Sequence, residues 1–154
     1  MTKPFNRFSG HDQRQRAMTA KLRAEVAEMQ SDKRISIVFP WPPKELSPNG
    51  RLHWSKKAKA VRAYRSVCSG LCHEAGLHLK KHSLASQGLN LRLTYVFNPP
   101  DARKRDKDNC IGSFKAGQDA IATVVGIDDN HFVTTYAMGK PGAGNVAVTI
   151  EADT

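Results

Sequence analysis

The sequence predicts an α/β (α+β) fold, a mixed β-sheet with helices packed on it in the order β-α-β-α-β-β, preceded by an appended helix. Three observations predict it. Ile35-Ser-Ile37-Val-Phe39 and Leu89-Asn-Leu91-Arg-Leu93-Thr-Tyr95-Val-Phe97 alternate apolar and polar residues with the period of a strand. His53–His82 and Cys110–Val125 are free of proline and rich in helix formers. Two further strand-like runs, His131–Met138 and Asn145–Glu151, close the chain, and nothing repeats.

Each element follows from local chemistry. Residues 1–12 carry no periodic pattern and read as a loose tail. From Gln13 to Met29 helix formers dominate, with Met18, Leu22, Val26 and Met29 at helical spacing. This predicts an N-terminal extension over residues 1–33 and a domain over 34–154. The first strand, Arg34–Phe39, ends at Pro40-Trp41-Pro42-Pro43, and Pro48-Asn49-Gly50 signals a turn. His53–His82 reads as a long basic helix with a break near Gly76. The second strand ends at Asn98-Pro99-Pro100, which opens a charged loop running into Arg103-Lys104-Arg105-Asp106-Lys107-Asp108-Asn109. The helix over Cys110–Val125 puts Phe114, Ile121 and Val125 on one side, and Gly139–Gly144 joins the closing strands.

A chain of 154 residues is the size of one domain with some extra length, which argues against a multidomain enzyme. With 25% charged and 40% apolar residues it is a globular mixture and not a disordered polyelectrolyte. Its net charge of +10 favours an anionic partner, nucleic acid first. The charge is segregated: residues 34–98 carry eleven basic and two acidic side chains, and residues 99–154 carry six basic and eight acidic. A basic surface beside a carboxylate cluster suits a metal-dependent nuclease, which must hold both phosphates and an ion. No apolar run approaches the ~18–20 residues of a membrane span, and no secretory signal is visible. Three cysteines are too few for a disulfide framework, so a cytoplasmic protein is expected.

Asp106 and Asp108 are the first candidate site residues. In an extended segment, positions two apart point to one side, and two carboxylates so placed repel until a divalent cation joins them. Hard oxygen donors suit Mg²⁺, with Mn²⁺ as a substitute. Taken alone, an Asp-x-Asp is more often a polar loop. An EF-hand fails, because Ile111 stands where glycine is needed and Gly117 where a bidentate Glu is needed. Lys115, seven residues after Asp108, returns to the same helical face and could hold a phosphate oxygen or neutralise a leaving group. Asp119 lies four further on and could pair with it as a surface salt bridge. Asp128 and Asp129, after Gly126-Ile127, bring carboxylates from another element. Cys68 and Cys72 lack a second pair for zinc and read as buried thiols. No small-molecule cofactor motif is present.

Taken in order, Trp41-Pro42-Pro43, Pro48-Asn49-x-Arg51, the basic helix, Arg105-Asp106-Lys107-Asp108-Asn109, the helix with Lys115 and Asp119-Ala120, and Asp128-Asp129 resemble the RusA family of Holliday-junction resolvases. The resemblance spans residues 34–151. It implies a homodimeric, Mg²⁺-dependent endonuclease of a bacterial or phage-infected cell that resolves four-way DNA junctions by paired symmetric nicks. It implies Asp106, Asp108 and Asp129 as metal ligands, with Lys115 assisting and Asp128 facing solvent or capping. Arg51, Lys56, Lys57, Lys59, Arg103, Lys104 and Arg105 would hold phosphates. One departure is a stretch between Asp108 and Lys115 about three residues longer than in the best-known member, roughly one helical turn. The alternatives are a non-catalytic basic module binding branched DNA or RNA, and a nuclease of the same fold acting on other branched or flap structures.

Overall fold

The computed structural model describes residues 10–31, 34–81, 84 and 90–153. The chain divides into two compact units, the first ending at Asp32 and the second beginning at Lys33. The described part of the first unit is helix α1, Gly10–Ser31, whose Met18 and Leu22 are exposed. The helix thus starts inside the stretch expected to be a loose tail, and residues 1–9 lie outside the described residues. No helix among the described residues is long and apolar enough to cross a membrane.

The second unit is α+β. Its elements are β1 (Arg34–Pro40), α2 (Trp54–Glu74), β2 (Asn90–Asn98), α3 (Lys107–Ser113), α4 (Lys115–Val125), β3 (Phe132–Met138) and β4 (Asn145–Asp153). The four strands form one open mixed sheet in the order β1-β4-β2-β3. β2 and β3 run parallel, from Leu91 beside Phe132 to Phe97 beside Met138, and the two helices between them make the crossover. β4 inserts antiparallel between β1 and β2, pairing Ile37 with Val148 on one side and Tyr95 with Val148 on the other. The closing strands therefore flank β2 instead of pairing with each other. Their connection crosses the end of β2, where Gly139 N donates to Phe97 O at 2.8 Å and Gly142 N to Pro99 O at 2.7 Å. A Cβ at Gly139 would run into the Asn98 side chain, whose Nδ2 donates to Asn145 Oδ1 at 2.9 Å.

Strand alternation produces the core. Ile35, Ile37, Phe39, Leu91, Leu93, Tyr95, Phe97, Val146, Val148 and Ile150 are buried on one sheet face, under Tyr64, Cys68 and Cys72 of α2 and Ala120, Ile121 and Val125 of α4. Full burial of one such large apolar side chain stabilises by roughly 1.5–3 kcal/mol.

Two helices differ from expectation. The basic helix is capped by His53 and ends at Glu74. Gly76 adopts φ +80°, a left-handed conformation open to glycine, and a 3-10 turn over Leu77–Lys80 follows. His82 and Leu89, the expected ends of that helix and start of β2, lie outside the described residues. The helix expected over Cys110–Val125 starts earlier, at Lys107, and is two helices broken at Phe114 (φ −90°, ψ 0°). The break has a packing cause. Phe114 is 2% exposed, and its ring meets Tyr95 at 5.3 Å, Phe39 at 5.5 Å and Phe97 at 6.3 Å between centroids. The ring covers the Cα of Gly117, where a Cβ would stand 2.6 Å from Cζ.

Candidate functional site

The loop from β2 to α3 is tied down by its own charges. Arg105 Nη1 lies 2.8 Å from Asp101 Oδ1 and donates to the carbonyls of Asp101 and Arg103 at 3.1 and 3.3 Å. The hydrogen bond from Arg105 holds the Asp101 carboxyl below its ordinary range. The Arg105 guanidinium also lies over the Trp41 ring, 5.5 Å from its centroid. Its side chain is 21% exposed against 84% for Arg103. Arg105 therefore braces the loop, while Arg103 and Lys104 reach into solvent.

Asp106 ends that loop as the N-cap of α3, and its Oδ1 accepts from Asp108 N at 3.1 Å. Asp108 is in the first helical turn. The pair is thus not extended, and the argument from alternating sides does not hold. Asp is among the strongest N-cap formers, and capping overrides the extended reading. Both side chains are exposed. One residue on, Asn109 Oδ1 accepts from Asn49 Nδ2 at 3.2 Å, and a Cβ on Gly112 would run into Pro48. The Pro48-Asn49 turn, with exposed Arg51 just beyond it, is so fixed against α3.

Lys115 opens α4 and meets two carboxylates, Asp119 Oδ1 at 2.9 Å and Asp129 Oδ2 at 2.5 Å. The hydrogen bond to Asp129 is the largest cause raising the Lys115 pKa, and the same bond holds Asp129 below its ordinary range. Asp119 is the helix-surface partner expected from its spacing. Asp128 instead caps a 3-10 turn, its Oδ1 accepting from Asn130 N at 2.9 Å. Nearby, buried Tyr95 donates to Gln118 Oε1 at 2.9 Å, and burial raises its pKa above the ordinary tyrosine value.

The chemistry of Asp106, Asp108 and Asp129, all carboxylate oxygens, suits a hard divalent ion. Their arrangement does not form a three-ligand centre: among the described residues, no three His, Cys, Asp or Glu side chains gather as a metal-binding group. Asp129 is instead engaged with Lys115. Cys68 and Cys72 are buried free thiols, with pKa values pushed up by burial to about 11 and about 12. On α2, Lys56, Lys59 and Arg62 are exposed and Lys57 is half-buried. Arg65 reaches across to α4, donating to Thr123 Oγ1 at 2.9 Å.

The sequence reading missed a cleft of about 450 Å³ in front of α3. Trp41, Pro42, Pro43, Phe97 and Pro100 supply its apolar walls, and Lys44, Lys104, Arg105, Asp106 and Asn109 its polar rim. A tryptophan among prolines was the available signal, read as the end of a strand and as a motif of the family resemblance but not as the wall of a cleft.

No protein-family model matches the chain. An uncharacterized protein of Xylella fastidiosa (strain Temecula1 / ATCC 700964) is 38% identical over 135 residues, which cover 86% of this chain and 83% of the relative. The chain belongs to the family of that protein. The matched stretch is longer than the second unit alone, which holds 122 of the 154 residues, so the likeness extends into the first.

Proposed function

We propose that this protein is a Mg²⁺-dependent endonuclease that acts on branched DNA and resolves four-way junctions by paired nicks. It would work as a homodimer in the cytoplasm of a bacterial or phage-infected cell, with Mn²⁺ able to replace Mg²⁺. The observation that carries this reading is the contact between Lys115 and Asp129, two motif residues fourteen apart that meet at 2.5 Å. The Asn49–Asn109 hydrogen bond supports it in the same way, joining motif segments sixty residues apart. Asp106 and Asp108 supply exposed hard donors at the start of α3. A divalent ion, when bound, supplies an activated water and neutralises phosphate charge. Lys115, held by two carboxylates, presents its ammonium to a phosphate oxygen. Arg51, Lys56, Lys57, Lys59, Arg103 and Lys104 hold the flanking phosphates, which positions DNA without reading sequence. Arg105 acts by bracing the loop that carries Arg103 and Lys104.

One observation favours a second reading, a non-catalytic module binding branched DNA or RNA. Asp106, Asp108 and Asp129 do not gather into a metal-binding group among the described residues. A labelled synthetic four-way junction separates the two. The nuclease reading predicts paired nicks with Mg²⁺ or Mn²⁺ and intact, bound junction with chelator. Bound junction that stays intact at every metal concentration means the binding module.

A further inference from the structure

We propose that the cleft between Trp41-Pro42-Pro43 and the start of α3 is a subsite for one unpaired nucleotide, whose base lies against the apolar wall and whose phosphates meet Lys44 and Lys104. This rests on the nucleic-acid reading above and adds which part of the nucleic acid the protein grips.

The volume, about 450 Å³, is in the range that encloses a small ligand. The walls are mostly apolar, with Trp41, Pro42, Pro43, Phe97 and Pro100. Trp41 is half-buried, its ring perpendicular to that of Phe97 with 6.4 Å between centroids, and the Arg105 guanidinium lies over the indole 5.5 Å from its centroid. Arg105 is held by Asp101 at 2.8 Å, a carboxylate it shares with Arg103, so Arg105 serves as a wall. The free cations are on the rim. Lys44 and Lys104 make no ion pair among the described residues. Asn109 and Ser113 add hydrogen-bonding groups at the edge.

An apolar, aromatic-lined cleft with polar edges and a cationic rim matches a nucleotide part by part. An uncharged apolar ligand would leave the lysines without purpose, and a bare phosphate would leave the indole without one. A base inside a duplex is stacked on both faces and cannot enter, so the occupant is an unpaired nucleotide of the kind a branch point exposes. Asp106 also lines this cleft, which places the gripped nucleotide next to one of the proposed metal ligands.

The chain has two tryptophans, so Trp54→Phe leaves Trp41 as the sole indole reporter. That variant is titrated, with chelator present, with a short single-stranded oligonucleotide, with an abasic strand of equal phosphate number, and with a free mononucleotide. The proposal predicts saturable quenching of Trp41 by the base-bearing strand and ~10-fold or more weaker binding of the abasic strand. Lys44→Ala with Lys104→Ala should weaken both strands while leaving the quenching at saturation unchanged. Equal binding of the two strands without quenching overturns the subsite. A mononucleotide that competes as well as the strand overturns the assignment to DNA in favour of a free nucleotide. The titration needs neither metal nor cleavage, so it can succeed where the nuclease reading fails. Junction cleavage without Trp41 quenching would sink the subsite and spare the nuclease.

Discussion

Replacing Gly117 by Ala sets two known effects against each other. Gly117 is in α4 and buried, and Ala is favoured over Gly in a helix interior by about 1 kcal/mol. On propensity alone the variant is stabilised. The added Cβ, however, would stand 2.6 Å from Cζ and 2.9 Å from Cδ2 of Phe114, with Cε2 nearer still. That ring cannot move aside, because Phe39, Tyr64, Tyr95 and Phe97 all pack on it. Overpacking a well-filled core costs ~1–3 kcal/mol, and three close ring atoms put this site at the upper end. The net is a loss of about 2 kcal/mol, or a fall of about 4–8 °C in melting temperature for a chain of this size. Urea unfolding measures it directly. Phe114→Leu removes the flat ring, so Gly117→Ala made in that background should be neutral or stabilising. A Gly117→Ala protein more stable than wild type would refute the argument that Phe114 forces the break between α3 and α4.

Four other outcomes are expected. Asp129→Asn should need far more Mg²⁺ for cleavage or lose it, whereas Asp128→Asn should titrate like wild type, since Asp128 only caps a turn; the reverse ranking in a metal titration would assign the ligand to Asp128. If ~6 of the eleven basic side chains in residues 34–98 contact phosphates, log affinity should fall against log salt with a slope near −5, and a flat response would place DNA elsewhere. The stabilisation from Lys115 with Asp129 should be constant across the middle of the pH range. It should be lost as pH falls through the depressed Asp129 value, below the ordinary 3.8, and as pH rises through the raised Lys115 value, above 10.5. Melting of wild type against Lys115→Met across pH checks this, and a difference that instead changes near neutrality would contradict it. Light scattering should report near twice the 17.0 kDa chain mass, and a monomer both free and on DNA would count against paired cleavage.

The alternation in β1, β2 and β4 was legible because each strand buries one face, and a period of two can be read from a few residues. Strand order was not legible. β4 between β1 and β2 depends on long-range pairing that no local pattern records. The interruption at Phe114 had a weak local signal, Gly112-Ser113 just before it and Gly117 just after, and the four aromatic rings packed on Phe114 place it. Asp106 carried a readable signal, an Asp just ahead of a helix, which favours a cap over an extended pair. The Lys115–Asp119 spacing was legible as i, i+4, whereas the Lys115–Asp129 contact depends on the chain turning back at Gly126 (φ +70°). Trp41 and Arg105 meet because two loops leave the same end of the sheet, from β1 and β2 on either side of β4, a long-range arrangement of which Trp41 among its prolines is the one local hint.

The most direct test of the central claim is one reaction in which both cleavage rate and affinity are measured for a mobile four-way junction, with wild type and with Asp106→Asn carrying Asp108→Asn. If these carboxylates hold a catalytic ion, the variant should lose turnover by orders of magnitude. Its affinity for the junction should hold or rise, because two negative charges facing phosphate are gone. A variant that cleaves at near the wild-type rate would contradict the claim, whatever the fold.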